Sequence, residues 1–179
     1  MTKLYDFKNK GASGIKYQPG TGRARAASGG LCFGYSVIWA AKMQKFPDKP
    51  KLSAPEQFGA GPLQQKVEQL PMGWTDSVDK VVRDLGYGCS KPEQRVWDLL
   101  PSYCARTSGY HAVDIGDHWV GMGQGASGWY FFDSNDGLHE FADEASFITH
   151  AVAELKTYKD DPDPQNGFET NHRAYKITL

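Results

Sequence analysis

The spacing of apolar residues along this 179-residue chain changes near Pro101. Before that proline, apolar side chains recur every three or four residues, which is the period of an amphipathic helix. After it, short runs rich in aromatic and β-branched residues are separated by glycine, which is typical of strands. Helices followed by a series of strands predict an α+β domain, with N-terminal helices packed on a C-terminal antiparallel sheet.

Start and stop signals divide the first half into four predicted helices. They run from Cys32 to Phe46, from Ser53 to Leu70 with an interruption at Gly59, Gly61 and Pro62, from Thr75 to Gly86, and from the capping pattern Ser90–Glu93 to Pro101.

The second half predicts mainly strands, and residues 1–30 show no sustained period. We therefore expect 1–30 to be a mostly irregular N-terminal arm and 31–179 to be a single domain. The predicted strands are Tyr110–Ile115, His118–Gln124, Trp129–Asp133 and Ala174–Leu179, with a last helix from about Glu144 to Tyr158 before the closing strand.

Composition excludes several classes of protein. Twenty basic and 21 acidic residues give a net charge of -1, which argues against a nucleic-acid partner or a charged membrane surface. No apolar run approaches the roughly 18 residues of a membrane span, and we expect no Sec signal. The three cysteines lack metal-ligand spacing, which indicates reduced thiols and no metal site. We expect no cofactor.

Cys32 follows Gly29, Gly30 and Leu31 and opens the first predicted helix. The N-terminus of a helix carries the positive end of the dipole and N–H groups with no partner inside the helix, and both favour a thiolate. Cysteine is also among the residue types that are most often fully buried, so a purely structural role is the alternative. Whether Cys32 is reactive or only structural depends on whether other parts of the chain supply catalytic partners for it.

A predicted hairpin supplies such partners. If the chain folds back between Gly125 and Ala126, His118 lies opposite Asp133 on the same face of the sheet. Directly opposite Cβ atoms are about 4.5–5.5 Å apart, so the carboxylate would orient the imidazole. A shift of one residue would break this pairing.

Other histidines and thiols fit less well. His111 begins the preceding strand, and the same fold centre places it level with Glu140, so we assign it to packing or to the edge of the site. Cys89 follows Gly88 in a predicted loop, and Cys104 begins a strand-like stretch. We expect both thiols to be structural.

A cysteine, a histidine and an aspartate together are the side chains that acyl hydrolysis by a thiol requires. The thiolate attacks a carbonyl carbon, the imidazole moves the proton, and the carboxylate fixes the imidazole tautomer. Backbone N–H groups at the helix start, including that of Cys32, would meet the charge that develops on the carbonyl oxygen.

Two segments carry a family resemblance. Gly30-Leu31-Cys32 is followed by Ser36 and Trp39, and His118 is followed fifteen residues later by Asp133 within Phe131–Gly137. The second segment is similar to Phe-Phe-Asp-Pro-Asn-x-Gly, with Ser134 in place of the proline. In these features the chain resembles papain-like cysteine proteases of the YopT/AvrPphB type, found among bacterial effectors. The resemblance implies a papain-like fold with Cys32 as nucleophile, His118 as general base and acid, and Asp133 as orienting residue.

One position departs from the family. Papain-like enzymes commonly place an oxyanion-hole amide five or six residues before the cysteine, where this chain has Ala27 and Ala26. Gln18, across a longer loop, and Ser28 are the candidates for this donor.

The resemblance implies a cysteine endopeptidase that acts as a bacterial effector or interbacterial toxin on a protein substrate. It would be made in a bacterial cytoplasm and delivered by a specialised secretion system into a target-cell cytosol, with a cognate immunity protein or secretion chaperone as partner. Two alternatives fit the same residues: an amidase or acyltransferase, of the peptidoglycan amidase or transglutaminase kind, and a non-catalytic binding module on the same scaffold.

Overall fold

The computed structural model describes residues 1–6, 31–70, 74–116, 118–160 and 171–179. The helices in these ranges are α1 (Cys32–Lys45), α2 (Ala54–Gln69), α3 (Trp74–Asp84), α4 (Leu100–Arg106) and α5 (Glu144–Lys159). The strands are β1 (Thr2–Asp6), β2 (Gly88–Cys89), β3 (Glu93–Val96), β4 (Gly109–Asp114), β5 (Trp119–Gly125), β6 (Gly128–Asp133), β7 (Gly137–Phe141) and β8 (Asn171–Thr178).

The strands form one antiparallel sheet in the order β1-β7-β6-β5-β4-β8-β2, and β3 pairs with another part of β8. β4 to β7 follow each other as a meander, and β8 returns to the far side of β4. The predicted α+β class with an antiparallel sheet is confirmed. β5 and β6 lie in the middle of the sheet, so the residues at their ends are held by strands on both sides.

Helices cover both faces of the sheet. One apolar cluster joins α1, α2 and α3 to one face, and a second joins α4 and α5 to the other. Neighbouring residues of β6 show the alternation, since Phe132 belongs to the first cluster and Phe131 to the second. Trp39 of α1 is fully buried and stacks on Phe132, with ring centroids 5.7 Å apart.

α1 and α2 approach each other closely near the start of α1. A Cβ atom added at Gly34 would lie 2.2 Å from the backbone oxygen of Ala60, so only glycine fits there. Further along α1, Nζ of Lys42 lies 2.7 Å from Oε2 of Glu56. These contacts hold α1 against α2 at both ends of α1.

The predicted interruption of α2 is wrong, because the helix continues through Pro62. The predicted capping box is present, with the Ser53 backbone N–H donating to Oε2 of Glu56 over 2.6 Å. Gly61 has no Cβ to clash with the proline ring, which removes part of the usual penalty before proline. Burial of Leu63 and Val67 in the core then stabilises the second half of the helix.

The helix predicted from Ser90 to Pro101 is also wrong. Ser90 is bound to β8, where its backbone N–H donates to the Lys176 carbonyl and its hydroxyl accepts from the Lys176 N–H, each over 3.0 Å. β3 follows, and α4 begins only at Leu100, with Pro101 in its first turn. Proline is tolerated there because the first N–H groups of a helix have no partner inside it. Cys104 is therefore helical and does not begin a strand, and Cys89 lies in β2.

The sequence did not predict β7, which pairs with β6, or β1, which pairs with β7 at the edge of the sheet. β1 lies within the segment expected to be an irregular arm, and residues 7–30 of that arm are outside the described ranges. β7 lacks an alternating pattern because Leu138, His139 and Phe141 are all buried, on both faces of the sheet. Pairing of β1 with β7 completes this side of the fold.

Candidate active site

The start of α1 places the sulfur of Cys32. The helix begins at Cys32, and its first turn, which is described in full, contains no acidic residue. The Tyr35 N–H donates to the Leu31 carbonyl over 2.9 Å, so the regular hydrogen bonding of the helix starts directly behind the thiol. Cys32 is 7% exposed and lies at the positive end of the helix dipole.

His118 faces this thiol from the sheet and lies immediately before β5. The connection from β4 is closed by a hydrogen bond from the Ile115 N–H to the His118 carbonyl, 3.0 Å long. The next residue, Trp119, packs edge-on against Phe33 of α1, with ring centroids 5.0 Å apart. This aromatic contact brings the imidazole to α1, where the interaction of His118 with the Cys32 side chain raises the pKa of the imidazole.

Asp133, the last residue of β6, is 1% exposed, and its carboxylate accepts three hydrogen bonds. Oδ1 lies 2.9 Å from Nε2 of His118 and accepts the Asn135 backbone N–H over 2.7 Å. Oδ2 accepts the Tyr158 hydroxyl over 2.7 Å. Because Nε2 is bound to Asp133, Nδ1 is the ring nitrogen left for Cys32. Asp133 is thus hydrogen-bonded to His118, and His118 interacts with Cys32. These three residues are here called the Cys–His–Asp cluster.

The register expected for the hairpin is wrong by two residues. Val120, not His118, is the strand partner of Asp133, and Gly125 pairs with Gly128 around a two-residue turn at Ala126 and Ser127. A shift of two residues keeps every side chain on its original face, whereas a shift of one would not. His118 thus reaches Asp133 diagonally, from just beyond the end of β5.

The cluster changes the charge states of its members. Burial lowers the pKa of His118, but hydrogen bonds to Asp133 and Cys32 and their charges outweigh burial and raise it to about 10. Burial raises the pKa of Asp133, and the bonds from His118, Asn135 and Tyr158 outweigh this and hold it below its ordinary value. The favoured state is an imidazolium between a carboxylate and the sulfur.

Tyr158, near the end of α5, is a neighbour that the sequence analysis did not identify. Besides donating to Asp133, its ring stacks on the His118 imidazole with centroids 4.7 Å apart and planes 18° apart. The available signal was helical spacing: Tyr158 follows the buried Leu155 by three residues and shares its face.

The structure places His111 elsewhere. It is fully buried in β4 opposite Met122 and Lys176, and it packs edge-on against Tyr103 of α4. Across the sheet it lies level with His139, so the predicted alignment with Glu140 is wrong by one residue. Burial lowers the pKa of His111 to about 4, so this histidine is neutral at ordinary pH.

The other two thiols lie in environments that suppress reactivity. Burial raises the pKa of Cys89 to about 12 and raises that of the fully buried Cys104 further.

The oxyanion candidates Gln18 and Ser28 lie outside the described residues. In the described ranges, no group of three or more His, Cys, Asp or Glu side chains could hold a metal ion. No helix in those ranges is long and apolar enough to cross a membrane.

Comparison with known proteins finds similarity in structure and not in sequence. No protein-family model matches the chain, and a search of curated proteins found no significant match. Among solved structures, the chain is similar to the crystal structure of the Pseudomonas avirulence protein AvrPphB, with a TM-score of 0.64 at 12% identity. The similarity covers 87% of this chain and 95% of the other. At this identity it shows a shared fold.

Proposed function

We propose that this chain is a papain-like cysteine endopeptidase in which Cys32, His118 and Asp133 form a catalytic triad. The observation that carries the proposal is the Cys–His–Asp cluster, in which His118 is hydrogen-bonded to Asp133 and interacts with Cys32, assembled from α1 and from the ends of β5 and β6. Two further findings support it: the sequence resemblance to the YopT/AvrPphB type, and the fold shared with AvrPphB.

The first half of the reaction forms an acyl-enzyme. Sγ of Cys32, as thiolate, attacks the carbonyl carbon of the scissile peptide and forms a tetrahedral intermediate. The His118 imidazolium gives its proton to the leaving amine, the carbon–nitrogen bond breaks, and the acyl group stays on sulfur as a thioester. Asp133 accepts from Nε2 throughout, which directs Nδ1 to the reacting atoms.

The second half restores the enzyme. Neutral His118 takes a proton from water, the hydroxide oxygen attacks the thioester carbonyl, and the carboxylic acid product leaves as the Cys32 thiolate and the His118 imidazolium are regenerated. The backbone N–H of Cys32 is one proposed donor to the oxyanion, because it lies at the start of α1. Gln18 and Ser28 remain the predicted side-chain donors.

The substrate and setting are part of the same proposal. A protein substrate follows from an endopeptidase, and the resemblance supports a bacterial effector or interbacterial toxin. Such a protein would be made in a bacterial cytoplasm, delivered by a specialised secretion system into a target-cell cytosol, and accompanied by an immunity protein or secretion chaperone. A reducing target cytosol would keep Cys32 as a free thiol.

The experiment is a search for new protein N-termini. Lysates of bacterial and eukaryotic cells are incubated under reducing conditions with the wild type, Cys32→Ala or His118→Ala, and free α-amines are labelled and identified by mass spectrometry. We expect a small set of new N-termini with the wild type and none with either variant. Identical termini in all three samples would refute the proposal, and deamidated or cross-linked proteins without new termini would indicate an amidase or transferase.

A second measurement separates an enzyme from a binding module. The wild type and Cys32→Ala are expressed in a susceptible host at matched levels. Growth arrest by the wild type alone is expected, since the thiol performs the chemistry. Equal arrest by both would contradict a catalytic role.

A further inference from the structure

One side chain outside the Cys–His–Asp cluster contacts two of its three members. The Tyr158 hydroxyl donates to Oδ2 of Asp133 over 2.7 Å, and the Tyr158 ring lies parallel to the His118 imidazole at 4.7 Å. The two contacts come from the same residue on a helix that supplies no member of the cluster.

We propose that Tyr158 is a positioning residue for the cysteine protease reaction, holding the Asp133 carboxylate in plane with the imidazole and shielding the bond between them from water. This inference rests on the proposed function. Tyr158 acts through Asp133 and His118 and does not itself contact the reacting atoms.

The direction of the Tyr158 hydroxyl is set by a neighbour. Nδ2 of Asn135 lies 3.2 Å from the Tyr158 oxygen, and an amide N–H can only donate, so the phenol proton is directed to Asp133. Burial and the Asp133 charge raise the pKa of Tyr158, so the phenol keeps its proton over the working range of the site. The backbone N–H of Asn135 also donates to Oδ1 of Asp133.

These bonds fix the orientation of the Asp133 carboxylate, because each of its two oxygens accepts at least one of them. Oδ1 is shared by His118 and Asn135, and Oδ2 is bound by Tyr158. Without the phenol, the donors to the carboxylate among the described residues all bind Oδ1, and rotation of the carboxylate is less restricted. The line from Oδ1 to Nε2 would then be maintained for a smaller part of the time, and Nδ1 would be less well directed to Cys32.

The ring has a separate effect. Stacked planes 18° apart exclude water from one face of the imidazole, which strengthens the neighbouring hydrogen bond in a low-dielectric environment. The position of the ring is fixed by α5, whose buried residues Phe147, Ala151 and Leu155 pack into the core. A rigid helix thus carries the stacking contact.

Two variants separate the effect of the hydroxyl from that of the ring: Tyr158→Phe removes only the hydroxyl, and Tyr158→Leu also removes the ring. The matched control is Tyr130→Phe, because the Tyr130 hydroxyl also donates to a carboxylate, that of Glu140, over 2.8 Å, away from the cluster. The second-order rate of alkylation by iodoacetamide at Cys32 is followed by mass spectrometry at several pH values. The imidazole N–H signal of His118 is followed by NMR, and folding by thermal unfolding.

We expect Tyr158→Phe to slow alkylation of Cys32 at neutral pH about threefold to tenfold, in line with the net contribution of one ordinary hydrogen bond. Tyr158→Leu should slow it further and broaden the His118 N–H signal through exchange with water, and Tyr130→Phe should leave both unchanged. If Tyr158→Phe lowers thermal stability but leaves the rate and the signal unchanged, Tyr158 is a packing residue and the inference is wrong, even if Tyr158→Leu does not fold. Failure of the proposed function looks different: Cys32 of the wild type would itself react slowly, and His118→Ala would not change its rate.

Discussion

Asp133 and His118 are joined across 2.9 Å although neither is the strand partner of the other. His118 precedes β5, Asp133 ends β6, and both lie at the end of the sheet where α1 begins. Cys32 reaches them from the helices on one face, and Tyr158 from α5 on the opposite face. The candidate site is therefore built at a junction of both helical layers with the sheet.

The Asp133→Asn variant tests whether the carboxylate keeps His118 protonated. The hydrogen bond and charge of Asp133 help to raise the pKa of His118 to about 10, and the amide retains the shape without the charge. We expect the ring of His118 in the wild type to titrate near pH 10 by NMR, and that of the variant at a clearly lower pH. A wild-type His118 that titrates near pH 6.5 would rule out the ion pair.

The same raised pKa predicts how stability depends on pH. Because the folded protein holds the His118 proton more tightly than the unfolded chain, this contribution is fully present below about pH 6.5 and is lost as the pH rises to about 10. The difference in unfolding free energy between the wild type and His118→Gln should shrink across that range, by up to about 1.4 kcal/mol per pH unit. Urea denaturation at fixed pH values measures it, and a difference that grows with pH would contradict the assignment.

The lowered pKa of His111 predicts that its contribution to stability changes with pH in the opposite direction. Burial lowers its pKa to about 4, so between pH 6.5 and 4 the unfolded chain binds a proton that the folded protein does not. Stability is lost as the pH falls through this window. In His111→Phe the number of protons taken up on unfolding at pH 5 should fall by about one, as determined from the pH dependence of unfolding. An unchanged proton uptake would show that His111 is already charged in the fold.

Gly34 predicts a steric cost at the contact of α1 with α2. In Gly34→Ala the new Cβ would lie 2.2 Å from the Ala60 oxygen, which requires the helices to separate and costs about 1–3 kcal/mol of unfolding free energy. Gly59→Ala is the matched control, since its Cβ meets only the end of the flexible Ile38 side chain, at 3.2 Å. Chemical denaturation should show a clearly larger loss for Gly34→Ala, and equal losses would contradict the close approach.

Sequence periodicity predicted α1, α5 and strands β4 to β6 because each has a strong local pattern or a clear stop signal. It failed where a distant partner decides the structure. The pairing of Ser90 and β3 with β8 replaced a predicted helix, and β7 is buried on both faces and so shows no alternation.

The residues of the candidate site could be identified without the correct strand register. His118 and Asp133 were identified from residue type and from lying on one face, and a shift of two residues preserved that face. Tyr158 was not identified, because its contact with Asp133 requires knowing how α5 crosses the sheet. That crossing is set by the second apolar cluster as a whole and not by any local pattern.

The most direct measurement is the site and rate of alkylation by iodoacetamide between pH 5 and 9, located by mass spectrometry in the wild type, Cys32→Ala, His118→Ala and Asp133→Ala. Burial raises the pKa of both Cys89 and Cys104, so these thiols serve as internal references in the same chain. We expect rapid labelling of Cys32 alone at neutral pH, and much slower labelling of Cys32 in the His118 and Asp133 variants. Slow labelling spread over all three cysteines and indifferent to His118 would contradict it.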